Sequence, residues 1–234
     1  MTDIMLIKHV GGLEMASTNN ESTNFLAFYT AALQDNSTIT PKQRQILAAG
    51  LALFSERGFD NTSSADIAER AGVAEGTVYK RFRNKTELML AVLTPLISSA
   101  FPAAANEFET QALTVTYPDL HHFIGTVVEN RLKFIQTNFR EIKILVGQLL
   151  YNKAFSDQIK VIFAKSISTE TNAAVKDLQS RHLIVDWPLS YIIGFMVSSV
   201  FAYLGKLILN PENDISLKTE IDYTVKFLEK GLQP

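Results

Sequence analysis

Cysteine is absent from the 234 residues, which excludes a disulfide framework, a thiolate nucleophile and a Cys-type metal site. Charge of one sign is missing too: 22 Lys and Arg stand against 24 Asp and Glu, a net charge of −2. A chain coated in nucleic acid along its whole length would carry a basic excess, so any polyanion site must be local. Histidine is sparse, at His9, His121, His122 and His182. The adjacent pair His121 and His122 would point about 100° apart on a helix and could not share a metal, so surface histidines are the sounder reading. No paired carboxylates, nucleophile elbow or phosphate-cradling glycine loop stands out, and neither catalysis nor a metal or cofactor is expected. The first seventeen residues hold no apolar run long enough for a signal-peptide core, and Lys8 is their one Lys or Arg. Strand alternation persists nowhere.

What is present is ordinary for a soluble globular protein, with 47% hydrophobic and 20% charged residues. The length suits one or two domains and is ample for a buried core. The most informative stretch runs from Thr40 to Leu90. Thr40-Pro41-Lys42-Gln43 is a capping box with proline at the first helical position. Ile46, Gly50, Leu53 and Phe54 follow at helical spacing, and Gly58 suits a left-handed stop. Ser63 with Asp66 makes a second box and Asn84 with Glu87 a third. Between them, Ala68, Gly72 and Val78 have the spacing of a helix-turn-helix: a small residue at the crossing, a glycine in the bend and a β-branched residue beneath the second helix. That second helix, Glu75 to Arg81, begins at Ala74, which cannot cap it; Glu75 partly compensates by favouring the positive end of the helix dipole.

Within Thr40–Leu90 eight basic residues face six acidic ones, a balance of +2. The cluster Lys80-Arg81-Phe82-Arg83-Asn84-Lys85 at the end of the second helix is placed to meet phosphate if that helix enters a groove. A solvated charged face is the bland alternative.

The patterns ILAAGLALFSERGF, TSSADIAERAGVAEGTVYKRF and NKTEL, in this order, resemble the N-terminal DNA-binding domain of the TetR (tetracycline-repressor-like) family of transcriptional regulators. The resemblance covers about fifty residues. It implies an all-α protein with a three-helix helix-turn-helix domain and a helical effector-binding and dimerisation domain. The divisions expected are an arm over 1–37, partly disordered; the DNA-binding domain over 38–90; and the second domain over 91–234. By resemblance, Thr62 and Ser63 contact phosphate, and Thr77, Tyr79, Lys80 and Arg81 approach bases and backbone. Lys85 joins its charge to free N–H groups in a phosphate clamp. The sequence departs from the family at Ala74-Glu75, where Ser and a basic residue are frequent. Ala74-Glu75 lacks that hydroxyl and puts a negative charge near the DNA backbone, while Glu75 can accept from a cytosine amino group.

The rest of the chain reads as helices. In the arm, Phe25, Leu26, Tyr29 and Leu33 fall on one face of a short helix. Pro95 bends or ends the helix that follows Glu87, and Phe101 to Pro118 reads as a fraying end and a loop. Asp119 caps a helix to about Asn138, followed by Phe139–Asn152 and by a long helix from Ser156 to about Ser180. The run Tyr191–Leu209 is the most apolar, yet Lys206 and the Ser198-Ser199 pair lie inside it and no basic flank borders it, so a buried subunit-interface helix is favoured over a membrane span. By resemblance, this helix and the last one build a four-helix bundle across a homodimer, with Gly194, Ser198, Ala202, Gly205, Ile221, Val225 and Leu228 at the interface. A small apolar or amphipathic effector would lie among aromatics, with Phe134, Tyr151, Phe163 and Phe195 as its contacts and Gln148, Asn152 or Tyr151 as polar handles. The function expected is that of a cytoplasmic, ligand-responsive repressor on a palindromic double-stranded DNA operator. A helical ligand-binding or scaffold protein that has lost operator binding is the rival, motivated by Glu75 and the modest +2.

Overall fold

The computed structural model describes residues 24–151, 153, 155–157, 160, 169–210 and 216–234. Among these no strand occurs; the fold is all-α. Helix α1 (Phe25–Asp35) begins at Asn24, whose side chain accepts from the Leu26 N–H. It is a helix of three turns, with Phe25, Tyr29 and Leu33 buried and Leu26 exposed. Met1–Thr23 lie outside the described residues, and with them the early part of the arm.

Helix α2 (Pro41–Arg57) has the expected capping box, Thr40 and Gln43 bonding reciprocally, and ends at Gly58 with φ +81°. It crosses α5 (Lys85–Pro95) at Gly50, where a Cβ would come within 2.8 Å of Val92 Cγ2. The close approach of the two helices needs that missing side chain. Helix α3 (Ser64–Arg70) carries the second capping box, Ser63 with Asp66. It stops in a Schellman turn: the Val73 N–H reaches Ala68 O and the Gly72 N–H reaches Glu69 O, with Gly72 at φ +64°. Helix α4 (Glu75–Arg81) follows, and no side chain caps it at Ala74. Asn84 accepts from the Glu87 N–H at the start of α5, but the Glu87 carboxylate takes the Arg83 N–H instead of the Asn84 one, so the third box is shifted by a residue.

Past Pro95 the structure departs from the sequence reading. The helix does not fray at Phe101. It runs on through a π-helical turn (Leu96–Ala100), α6 (Phe101–Phe108) and a second π-helical turn (Glu109–Leu113). Pro95 and Pro102 each remove one backbone donor, and wide turns accommodate that loss without stopping the helix. Leu96, Ile97, Ala100 and Ala104 are buried along the way, which holds the segment helical. Then come α7 (Leu120–Thr137), capped by Asp119, α8 (Phe139–Tyr151), α9 (Thr169–Ser180), α10 (Leu189–Leu209) and α11 (Leu217–Leu232). Of the long helix expected from Ser156, Thr169–Ser180 forms α9; most of the segment before it lies outside the described residues.

Two apolar cores result. One joins α1–α6 to Phe134, Leu145 and Phe155; the other joins α7, α9, α10 and α11. The first therefore ties the helix-turn-helix directly to the second half of the chain. Lys206 bonds both oxygens of the buried Glu220 carboxylate at 3.0 and 2.8 Å, pinning α10 to α11 within the protomer.

Candidate nucleic-acid interface and ligand cavity

The helix-turn-helix is held by Ile67, Ala68, Val78 and Phe82, all buried. Burial of Val78 leaves its neighbours outward: Tyr79 is 53% exposed, and Lys80, Arg81, Glu75 and Arg83 are exposed around it, with Thr77 half-buried. Two other cations of this half are paired with carboxylates. Arg70 meets Glu56 at 2.6 Å and Arg57 meets Asp66 at 3.8 Å. The Arg70 hydrogen bond holds the Glu56 carboxyl below its usual range. Lys80, Arg81 and Arg83, by contrast, have no carboxylate partner among the described residues. A cation without an internal partner is available to an external anion.

Ser63, Tyr79, Arg83, Asn84 and Lys85 share a shallow polar groove with Asp60 and Asp66. The expected phosphate contacts divide here. Thr62 also lines the groove, but it is buried, and its hydroxyl is committed inward, donating to Gly58 O at 2.9 Å and Leu53 O at 3.3 Å. Ser63 is exposed but occupied, its hydroxyl donating to Asp66 and accepting from the Asp66 N–H. The Ser63 hydroxyl and N–H together keep the Asp66 carboxyl below its usual range. Lys85 Nζ donates to Asp60 O at 3.3 Å and lies 4.3 Å from the Phe59 ring centre, so it already braces the 59–62 loop.

The second feature is a cavity of about 640 Å³ with almost wholly apolar walls between α1, α6, α7, α8 and α10. Phe134 and Phe155 line it, as do Val127, Val128, Met196 and Leu204. Phe195 does not. It is 49% exposed on the outer face of α10, 6.0 Å from Trp187. Phe163, Asn152 and the Tyr151 side chain lie outside the described residues, and Gln148 is not among the lining side chains. The polar residues of the wall are Glu109, Arg131, Thr171 and Ser190; sequence reasoning passed over all four, Arg131 among them. A signal was available: Arg131 lies three and four residues from Val127, Val128, Phe134 and Ile135, on the apolar face of its helix.

The interface stripe is also split. Gly194, Ser198 and Ala202 are exposed on α10, and Gly205 and Ile221 are half-buried. Val225 and Leu228 are buried in the protomer's own core, at the positions of α11 that face α7 and α10. The outward side of α11 instead presents Tyr223 at 70% and Phe227 at 69% exposure.

A two-helix unit with a glycine-dependent turn and an outward basic second helix defines a helix-turn-helix DNA-binding module. Residues 46–92 match the model of the bacterial regulatory proteins of the tetR family. The transcriptional regulator AcrR of Shigella flexneri is 41% identical over 201 residues, 81% of this chain and 89% of its own. FasR of Mycolicibacterium smegmatis, a transcriptional activator, is 26% identical over 192 residues, 82% of this chain and 83% of its own. Among solved structures, a TetR/AcrR-family regulator from Thermobifida fusca shares the fold with a TM-score of 0.59 at 16% identity, across 80% of this chain and 96% of its own. The chain belongs to the TetR family of DNA-binding transcriptional regulators.

Proposed function

We propose that the protein is a cytoplasmic homodimeric repressor, released from a palindromic operator by a small apolar or amphipathic effector. The observation that carries the DNA half is the exposed face of α4, where Tyr79, Lys80 and Arg81 stand outward without internal ion-pair partners among the described residues. Two such helices, carried by a dimer, would enter major grooves about 34–36 Å apart. Tyr79 and the cations would position the protein on phosphate, while Thr77, Lys80, Arg81 and Glu75 read base edges. The exposed apolar side of α10 and α11, with Gly194, Ser198, Ala202, Tyr223 and Phe227, is the surface a partner protomer would cover.

The effector half rests on the cavity and on its walls. Phe25 of α1 lines it and stands edge-on to Phe134 at 4.9 Å, while Tyr29 of the same helix donates to Leu47 O of α2 at 3.3 Å. Phe101 and Phe108 line it from the helix that continues α5. A ligand that binds one arrangement of these walls better than another would shift the separation of the α4 helices.

Selection from a random duplex library tests the reading with no operator sequence assumed. Enrichment of an inverted repeat with half-site centres about one helical turn, or a multiple of it, apart is the expected result. A library that returns no enriched sequence at low salt overturns it.

A further inference from the structure

Two ionisable side chains line the cavity, Arg131 and Glu109, and Arg131 has no ion-pair partner among the described residues. Burial pulls the Arg131 pKa down to about 10, which leaves the guanidinium charged at neutral pH. Its carbon lies 3.9 Å from the ring centre of Phe108 and 5.0 Å from that of Phe134, so two aromatic rings contact it. One edge is satisfied: Nε and Nη2 donate to Asn130 Oδ1 at 3.0 and 2.5 Å. That oxygen is neutral. Among the described residues no carboxylate lies within ion-pair distance of Arg131; Glu107 attracts it from farther away, and Glu109 sits elsewhere in the cavity wall. A guanidinium carries five N–H donors in a planar fork, and Asn130 leaves the Nη1 edge open.

Accepting the cavity as the effector site, we infer that the effector is an amphiphilic carboxylate, its apolar chain lying among the aliphatic and phenyl walls and its head bonded to the open edge of Arg131. Arg131 is half-buried, and a cation held against apolar walls is costly unless paired. A carboxylate matches the fork in a bidentate pair, and the cost of desolvating the arginine is already met in the folded protein. An uncharged chain would gain the wall contacts alone. A cationic amphiphile would be repelled.

Calorimetric titration of the full-length protein with decanoate, decanol and decyltrimethylammonium, each below its aggregation concentration, tests this. Decanoate should bind at least tenfold more tightly than decanol, and shortening its chain should weaken it about fourfold per methylene. In Arg131→Met decanoate should lose at least tenfold while decanol is unchanged or tighter, and decanol binding also reports that the variant is folded. Arg131→Lys should recover part of the decanoate affinity. Decanol binding as tightly as decanoate, decanoate indifferent to Arg131→Met, or preference for the cation would each overturn the carboxylate assignment and leave the cavity an effector site. Saturable binding of none of the three would overturn both.

Discussion

At the scale of single residues, two neighbouring hydroxyls have opposite fates. Thr62 and Ser63 are alike in sequence, yet the Thr62 hydroxyl is turned into the fold and Ser63 caps α3. Thr62→Val should lower stability by about 1–3 kcal/mol, because the buried hydroxyl's hydrogen bonds to Gly58 O and Leu53 O are lost, and should leave the salt dependence of DNA binding unchanged. Lys80→Ala and Arg81→Ala should do the reverse, leaving the melting temperature in place while each lowers the slope of log affinity against log salt by about one. Chemical denaturation and anisotropy titrations, run on the same proteins, separate the two classes. The recognition face was legible in the sequence because Val78 and Phe82 are apolar at helical spacing and so fix what points away from them. Thr62 was not, since only its packing against Leu53 and Gly58 decides which hydroxyl goes inward. Phe134 and Phe195 divide for the same reason: both are phenylalanines on helices, and only the cavity's position shows that one lines it and the other faces outward.

At the scale of elements, helix α4 is the least supported part of the binding domain. Its N-terminus has no side-chain cap, and Ala74 already holds extended angles, φ −68° and ψ 142°. Ala74→Ser should therefore stabilise by about 0.5–2 kcal/mol, measured by urea denaturation. Gly50→Ala works against the crossing of α2 and α5, where the new Cβ would meet Val92 at 2.8 Å, and should destabilise by about 1–3 kcal/mol. Helix starts were legible because caps are local chemistry: Thr40, Ser63, Asn84 and Asp119 each accept the N–H bond their sequence context predicts. The continuation past Pro95 was not, because a proline reads as a stop unless burial on both sides holds the helix together. Leu96, Ile97 and Ala100 supply that burial.

For the whole molecule, the notable surface is the apolar side of α10 and α11. Helix α10 is long and apolar enough to cross a membrane, though most of that apolar stretch is unburied in the protomer. Lys206 within it is bound to the buried Glu220 of α11, a pairing that suits a helix packed on another helix better than one in lipid. If a second copy covers this side, Tyr223→Glu with Phe227→Glu should convert a dimer into a monomer on sedimentation and abolish operator binding, with the helical spectrum retained. The resemblance placed Val225 and Leu228 at that interface, and periodicity could not correct it, because it marks an apolar face without saying what lies against it. Here the partners are the protomer's own α7 and α10.

The central claim is that α4 presents its unpaired cations to DNA, and fluorescence anisotropy on duplex fragments flanking the protein's own gene, at two salt concentrations, tests it most directly. The account predicts saturable binding to one fragment, weakened steeply by salt, with the slope reduced in Lys80→Ala and Arg81→Ala. Binding that is weak and equal on random duplexes, or that ignores both substitutions, would contradict it.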